Sequence, residues 1–208
     1  MSIKESQSQH WAGKDLKIIQ SYWDSPPATK RSKWFVEQLK RYEFDSIGEI
    51  GFFAGRNLRY IKEAFPGKEI AGIEVNPKAV RFAREKLGKD VKLLCEDLHD
   101  LNSVDWEADV VFTSGVLIHV PPDDMHTVIK FNIIPSAAKY VMHLEQLGQN
   151  EVVAGPKELK PTYKVSGQIQ WNPDLVSVYK ELGYDPKVIK LPDDCKTNGA
   201  AELVVVKL

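Results

Sequence analysis

The sequence is poor in cysteine, in surplus charge of either sign and in long apolar runs. Its two cysteines, Cys95 and Cys195, lie far apart and outside any CxxC or Cys/His cluster, so neither a zinc site nor a disulfide framework is expected. Both are expected reduced, with Cys95 in the core. Lys and Arg number 28 against 29 Asp and Glu, without the basic surplus a general nucleic-acid binder uses to neutralise phosphates. No segment reaches the roughly 18 uninterrupted apolar residues of a membrane helix, and the N-terminal MSIKESQSQHWAGKDLK has no apolar stretch of signal-peptide type. The expected location is the cytoplasm, with no membrane or nucleic-acid partner. What remains is a chain of ordinary globular composition, long enough for one core.

From residue 46 onward, β-rich runs alternate with amphipathic helical stretches, the pattern of a parallel sheet covered on both faces. Strands are expected at 46–51, 69–75, 91–97, 108–116 and 137–146. The first helix carries Leu58, Ile61 and Phe65 and ends at Pro66-Gly67; the second opens on Asn76-Pro77 and stops at Gly88. Asp123 or Asp124 is the expected cap of a third helix. A fourth begins at Asn172-Pro173 and stops at Gly183. The final strands, 186–191 and 201–208, are joined through Asn198-Gly199, and a turn dipeptide with no helix between two strands implies an antiparallel pair. Residues 147–171, mostly polar, read as an insertion over the site. Residues 14–22 and about 29–42 read as two helices separated by Asp24-Ser25-Pro26-Pro27, so 1–45 is expected to be a helical cap and 46–208 the single core domain.

In open α/β sheets, ligands bind beyond the carboxyl ends of the strands, where the strand order reverses. The first strand runs into EIGFFAGRN at 49–57. Gly51 and Gly55 permit a sharp turn and close backbone approach, and Asn57 begins a helix whose free N–H groups favour negative charge. Glu49 is placed to accept from an ammonium group, so a ligand end carrying both an ammonium and a carboxylate fits. Glu74 and Asp97 end the next two strands, so acidic residues close three strands in a row. Each alone is also readable as a solvated carboxylate capping a turn. NAD is the competing ligand, because Glu74 lies at a suitable distance past a glycine turn, but Phe52, Phe53 and Ala54 stand where a pyrophosphate cradle wants G-x-G-x-x-G.

The E-x-G-x-x-x-G run resembles the E/D-x-G-x-G-x-G motif of class I S-adenosylmethionine-dependent methyltransferases, with Phe53 in place of the middle glycine. GIEVNPKAV at 72–80 and GVLIHVPPDD at 115–124 most closely resemble small methyltransferases of bacterial pseudaminic acid and other surface-sugar pathways, over about residues 46–146; their first motif also lacks the middle glycine. The resemblance implies an α/β, Rossmann-like, seven-stranded, mostly parallel sheet with helices on both faces and an antiparallel last strand. It implies S-adenosyl-L-methionine as cofactor, with Glu74 on the ribose hydroxyls, Asp97 on the adenine amino group and the Leu98 backbone on the adenine edge. Glu49, Gly51, Phe53, Gly55, Asn57, Val75 and Ser114 complete the expected cofactor set.

Methyl transfer is an in-line displacement that needs a base only for some nucleophiles. His119 stands where a base for a hydroxyl acceptor would stand, and also where a loop anchor would. His143 and Glu145 alternate on the fifth strand and so share a face. Glu145 is the better pocket candidate and His143 is also readable as core. Tyr22 and Trp23, with Trp11 and Trp34 among basic residues, suit a lid over a small sugar-like or anionic acceptor, or simple packing. Arg56 is expected merely to begin its helix. The expected activity is O- or N-methylation of a small acceptor. A methyltransferase-like module without turnover is the other reading, and the number of subunits stays open.

Overall fold

The structure is a computed structural model that describes residues 2–103, 106–154, 169–197 and 200–208. Strands β1 (Ser46–Ile50), β2 (Glu69–Ile73), β3 (Val91–Leu94), β4 (Ala108–Ser114), β5 (Ala137–Glu145), β8 (Lys187–Lys190) and β9 (Glu202–Lys207) form one sheet. Its order is β3-β2-β1-β4-β5-β9-β8. The first five strands run parallel, and β9 enters antiparallel between β5 and β8. The order reverses between β1 and β4, which puts a crevice at their carboxyl ends. Two further strands, β6 (Glu151–Ala154) and β7 (Gln170–Asn172), pair with each other. The expected insertion at 147–171 therefore begins and ends in a ribbon, while 155–168 lies outside the described residues. So does the Asn198-Gly199 turn.

Alternation along the central strands supplies both cores. Val110 and Phe112 of β4 and Leu203 and Val205 of β9 face one cluster; Val111, Val204 and Val206 face the other. Helices α4 (Arg56–Ala64) and α5 (Pro77–Leu87) cover the first face, while α6 (Pro122–Val128) and α7 (Leu175–Glu181) cover the second. The α5 start is as expected, with Asn76 accepting from the Lys78 and Ala79 N–H groups. The α7 start is not: Asp174 rather than Asn172 caps it, accepting from Ser177 N–H at 3.1 Å. Neither Asp123 nor Asp124 caps α6, which starts at Pro122 after Pro121. Cys95 falls past the end of β3 and is exposed, contrary to expectation, whereas Cys195 is buried.

The N-terminal segment holds three helices, not two: α1 (Ile3–Ala12), α2 (Leu16–Trp23) and α3 (Pro26–Leu39). The extra helix starts at a reciprocal capping box in which Ser2 and Glu5 satisfy each other's backbone N–H. Pro26 opens α3, since its fixed φ and missing N–H suit a first helical position. Ile19, Trp23, Phe35, Val36 and Leu39 all enter the first-face core, and the Phe35 ring lies 4.9 Å from that of Phe112. No helix among the described residues is long and apolar enough to cross a membrane.

Candidate active site

One cavity lies at the carboxyl ends of β1 to β4, and α1, α2 and α3 add to its wall. Its floor is the turn after β1. Gly51 adopts φ +73, and a Cβ there would come within 2.5 Å of Val116 Cγ2. Gly55 adopts φ +80 and caps α4. Between them Phe53 has φ 44, a left-handed backbone that costs a bulky residue of order 1–3 kcal/mol. This is the position at which the resembling motif has its middle glycine: the glycine-like backbone is kept although the residue is not. Its N–H is held by Glu74 Oε2 at 2.9 Å, and its ring packs edge-on against Trp11 and Tyr22.

Three further N–H groups of this turn are also taken. Gly51 and Phe52 donate to the Ile73 carbonyl, and Gly55 donates to Phe52. A phosphate-binding turn works the other way, with its N–H groups turned to the ligand. Here two buried carboxylates, Glu49 and Glu74, stand beside the turn instead. Burial pushes Glu49 up to about 8 and Glu74 up to about 7. Glu49 Oε1 accepts from Asn57 Nδ2 at 2.6 Å, and Glu74 Oε1 accepts from Asn76 N–H at 2.8 Å. Burial also acts on Asp97, but hydrogen bonds from the His99 backbone and ring outweigh it and hold the carboxyl at about 2.

Of the residues expected from sequence, Glu49, Gly51, Phe53, Asn57, Glu74, Val75, Asp97, Leu98, Ser114, His119 and Tyr22 line this cavity. Gly55, Trp23, His143 and Glu145 do not. The Trp23 ring is spent on Phe82 and on the Arg59 guanidinium, so the expected acceptor contact is instead core packing. His143 is sealed between Thr113, 2.8 Å from Nδ1, and the Tyr179 hydroxyl, 2.6 Å from Nε2; burial pushes it down to about 3. Glu145 shares that face, as its alternation with His143 requires, but accepts from Thr113 Oγ1 and from Val116 N–H and is fully buried. It braces the loop that forms one wall. Burial raises it to about 7.

His119 Nδ1 lies 3.3 Å from the Ile169 carbonyl, which can only accept, so Nδ1 carries the proton. Burial pushes this histidine down to about 4, leaving it neutral at pH 7. Residues the sequence did not single out also line the cavity: Gln7 and Ser8 from α1, Arg31 from α3, and His99. Arg56 does more than start a helix, since it lines the cavity and donates through Nη1 to the Tyr22 carbonyl at 2.7 Å.

Ten buried side-chain nitrogen and oxygen atoms have no hydrogen-bond partner among the described residues. Seven belong to cavity-lining residues: both amide atoms of Gln7, Trp11 Nε1, Arg31 Nε, Glu49 Oε2, His99 Nε2 and Ser114 Oγ. A buried polar atom left unpaired costs about 1–3 kcal/mol, so residues around this one cavity carry most of that cost among the described residues.

The sheet order, the antiparallel β9 and the crevice between β1 and β4 constitute the class I methyltransferase fold. A family model described as a methyltransferase domain matches residues 47–131. The chain is similar in structure to DhpI in complex with S-adenosylhomocysteine (TM-score 0.73, 15% identity, covering 99% of this chain and 96% of that one). It is also similar to the N-methyltransferase NodS from Bradyrhizobium japonicum WM9, complexed with S-adenosylhomocysteine (0.60, 14%, 100% and 97%). A third similar structure is the N-terminal domain of EvdMO1 in the presence of S-adenosylhomocysteine and D-fucose (0.57, 19%, 88% and 82%). At these identities the likeness is one of fold. No curated protein sequence matches the chain.

Proposed function

We propose that the protein is an S-adenosylmethionine-dependent methyltransferase acting on oxygen or nitrogen of a small acceptor, a sugar or related metabolite. The observation that carries this reading is the set of seven unpartnered, buried polar atoms around a cavity at the strand ends of a methyltransferase fold. Their chemistry suits the cofactor. Glu49 Oε2 and Arg31 Nε offer an acceptor and a cationic donor to a group bearing both an ammonium and a carboxylate, while Glu74 and Asp97 offer carboxylate oxygens to hydroxyl and amino groups. When bound, the cofactor supplies a methyl group activated by a sulfonium. The chain's own task is to hold an acceptor in line with that group and keep water out. Trp11, Phe53, Tyr22 and His119 form the apolar side of the cavity. The sugar reading leans on the resemblance of residues 72–80 and 115–124, and on one structural neighbour having been crystallised in the presence of D-fucose.

The same turn speaks against a dinucleotide, because the Gly51, Phe52, Phe53 and Gly55 N–H groups are engaged within the protein and two carboxylates would face a pyrophosphate. Calorimetric titration with S-adenosylmethionine, S-adenosylhomocysteine and NAD tests the reading. Binding of both adenosyl ligands and not of NAD is expected; no binding of either adenosyl ligand ends it. Formation of S-adenosylhomocysteine on adding sugar or amine acceptors then separates an enzyme from a silent binding module.

A further inference from the structure

We infer that Gln7, on α1, reads the adenine edge of the cofactor through both atoms of its side-chain amide, and so fixes the identity of the base. The inference rests on the adenosyl-cofactor reading above and adds a specificity residue from a helix that the strand-end motifs do not include. Gln7 is 4% exposed, lines the cavity, and has neither Nε2 nor Oε1 hydrogen-bonded among the described residues. A side-chain amide buried in this state is rare, because each of its atoms has given up water without replacement.

The position of α1 says which part of a ligand Gln7 meets. Its neighbour Ser8 lines the cavity too and hydrogen-bonds Asp97, just past the end of β3. One turn further, the Trp11 carbonyl accepts from Asn76 Nδ2 at 2.9 Å, and Asn76 also donates its backbone N–H to Glu74. Helix α1 thus lies across the ends of β2 and β3, over the two carboxylates assigned to the nucleoside half of the cofactor. An amide presents one donor and one acceptor side by side. Adenine presents the complementary pair, the 6-amino donor beside a ring-nitrogen acceptor, and glutamine matches such an edge bidentately. A guanine or hypoxanthine edge carries a carbonyl where adenine carries the amino group. Trp11 follows Gln7 by four residues and so lies on the same helix face, closing the cavity against Phe53 and His119.

The test uses the full chain, a Gln7→Leu variant, S-adenosylhomocysteine, and its purine analogue lacking the 6-amino group. Gln7→Leu should weaken S-adenosylhomocysteine binding tenfold or more, the scale of a lost hydrogen-bonded pair. The affinity lost on deleting the amino group should be several-fold smaller in the variant than in the wild type, because the variant has already lost that contact. The free variant should melt at the same temperature as the wild type or higher, since an unpaired buried amide has been replaced by an apolar group of similar size. A purely structural glutamine would give the opposite melting shift. Equal amino-group penalties in the two proteins, or unchanged affinity in Gln7→Leu, would overturn the assignment while leaving the cofactor reading standing. Absence of S-adenosylhomocysteine binding to the wild type would overturn both.

Discussion

Asn57 donates from Nδ2 to Glu49 Oε1 at 2.6 Å, and the other oxygen of that carboxylate has no partner among the described residues. Burial pushes Glu49 up to about 8, so at pH 7 the free protein holds mostly the neutral acid. A ligand ammonium favours the carboxylate, and binding must therefore expel the proton. Calorimetry at pH 7 in buffers of different ionisation enthalpy should show release of about one proton per S-adenosylhomocysteine. Affinity should rise from pH 6 towards 8, as Glu49 comes to be ionised before the ligand arrives and no proton has to be expelled. Glu49→Gln should bind more weakly and lose this dependence. Proton uptake, or an unchanged profile in Glu49→Gln, would place the ammonium elsewhere.

Gly51 is required by two independent features, its φ of +73 and the 2.5 Å approach of Val116 to any added Cβ. Gly51→Ala should cost about 1–3 kcal/mol of stability through backbone strain and displace the Val116 wall, weakening ligand binding. Adding Val116→Ala removes the collision but not the strain, so the double variant should recover binding more than stability. Full recovery of both would mean that the backbone conformation is not the constraint.

Residues at or just past strand ends were legible in the sequence because β-rich runs and the turn residues after them mark where strand gives way to loop, although β3 stops at Leu94, three residues before the expected Asp97. Glu49, Gly51, Glu74 and Asp97 reach one cavity for that reason. Gln7, Ser8 and Arg31 were not, because their helices reach the site only through tertiary packing. Helix α1 buries Ser6 and Gln7 and turns Trp11 to the cavity, a largely polar face that hydrophobic periodicity does not flag. Its start was nonetheless written in Ser2-Ile3-Lys4-Glu5, the capping-box spacing. His143 and Glu145 show the reverse limit. Alternation correctly gives them one face, but only the position of Tyr179 on α7 reveals that the face is closed.

Tyr179 tests that closure. If Glu145 is ionised it can only accept, which forces Thr113 to donate to Glu145, His143 Nδ1–H to donate to Thr113, and the Tyr179 hydroxyl to donate to Nε2. Tyr179→Phe leaves a buried ring nitrogen unpaired and should cost about 1–3 kcal/mol, read as a lower urea midpoint at constant slope. S-adenosylhomocysteine affinity should stay within about twofold, a change of less than one hydrogen bond. A large affinity change at unchanged stability would return His143 to the acceptor site.

His119 has still to be divided between base and anchor, and its two ring nitrogens allow the division. Nδ1 donates to the Ile169 carbonyl, tying the loop after β4 to the segment leading into β7. Because burial holds the folded pKa at about 4, against 6.5 for a histidine free in water, the unfolded chain binds the extra proton first as pH falls. Its contribution to stability is therefore complete above pH 6.5, declines as pH drops from 6.5 to 4, and is lost below. A base with so low a pKa is already deprotonated at pH 7 but has little proton affinity, which favours the anchor. His119→Asn places an amide N–H where Nδ1–H stood, whereas His119→Ala does not. The anchor predicts that Ala loses about 1–3 kcal/mol of stability together with ligand affinity, that Asn restores most of both, and that turnover follows affinity. The stability decline between pH 6.5 and 4 should become shallower in both variants, leaving the part that belongs to the other buried imidazole, His143. If instead Asn is stable and binds S-adenosylhomocysteine normally, yet turns over 10²–10⁴-fold more slowly (roughly the range general-base catalysis supplies), His119 takes the acceptor's proton.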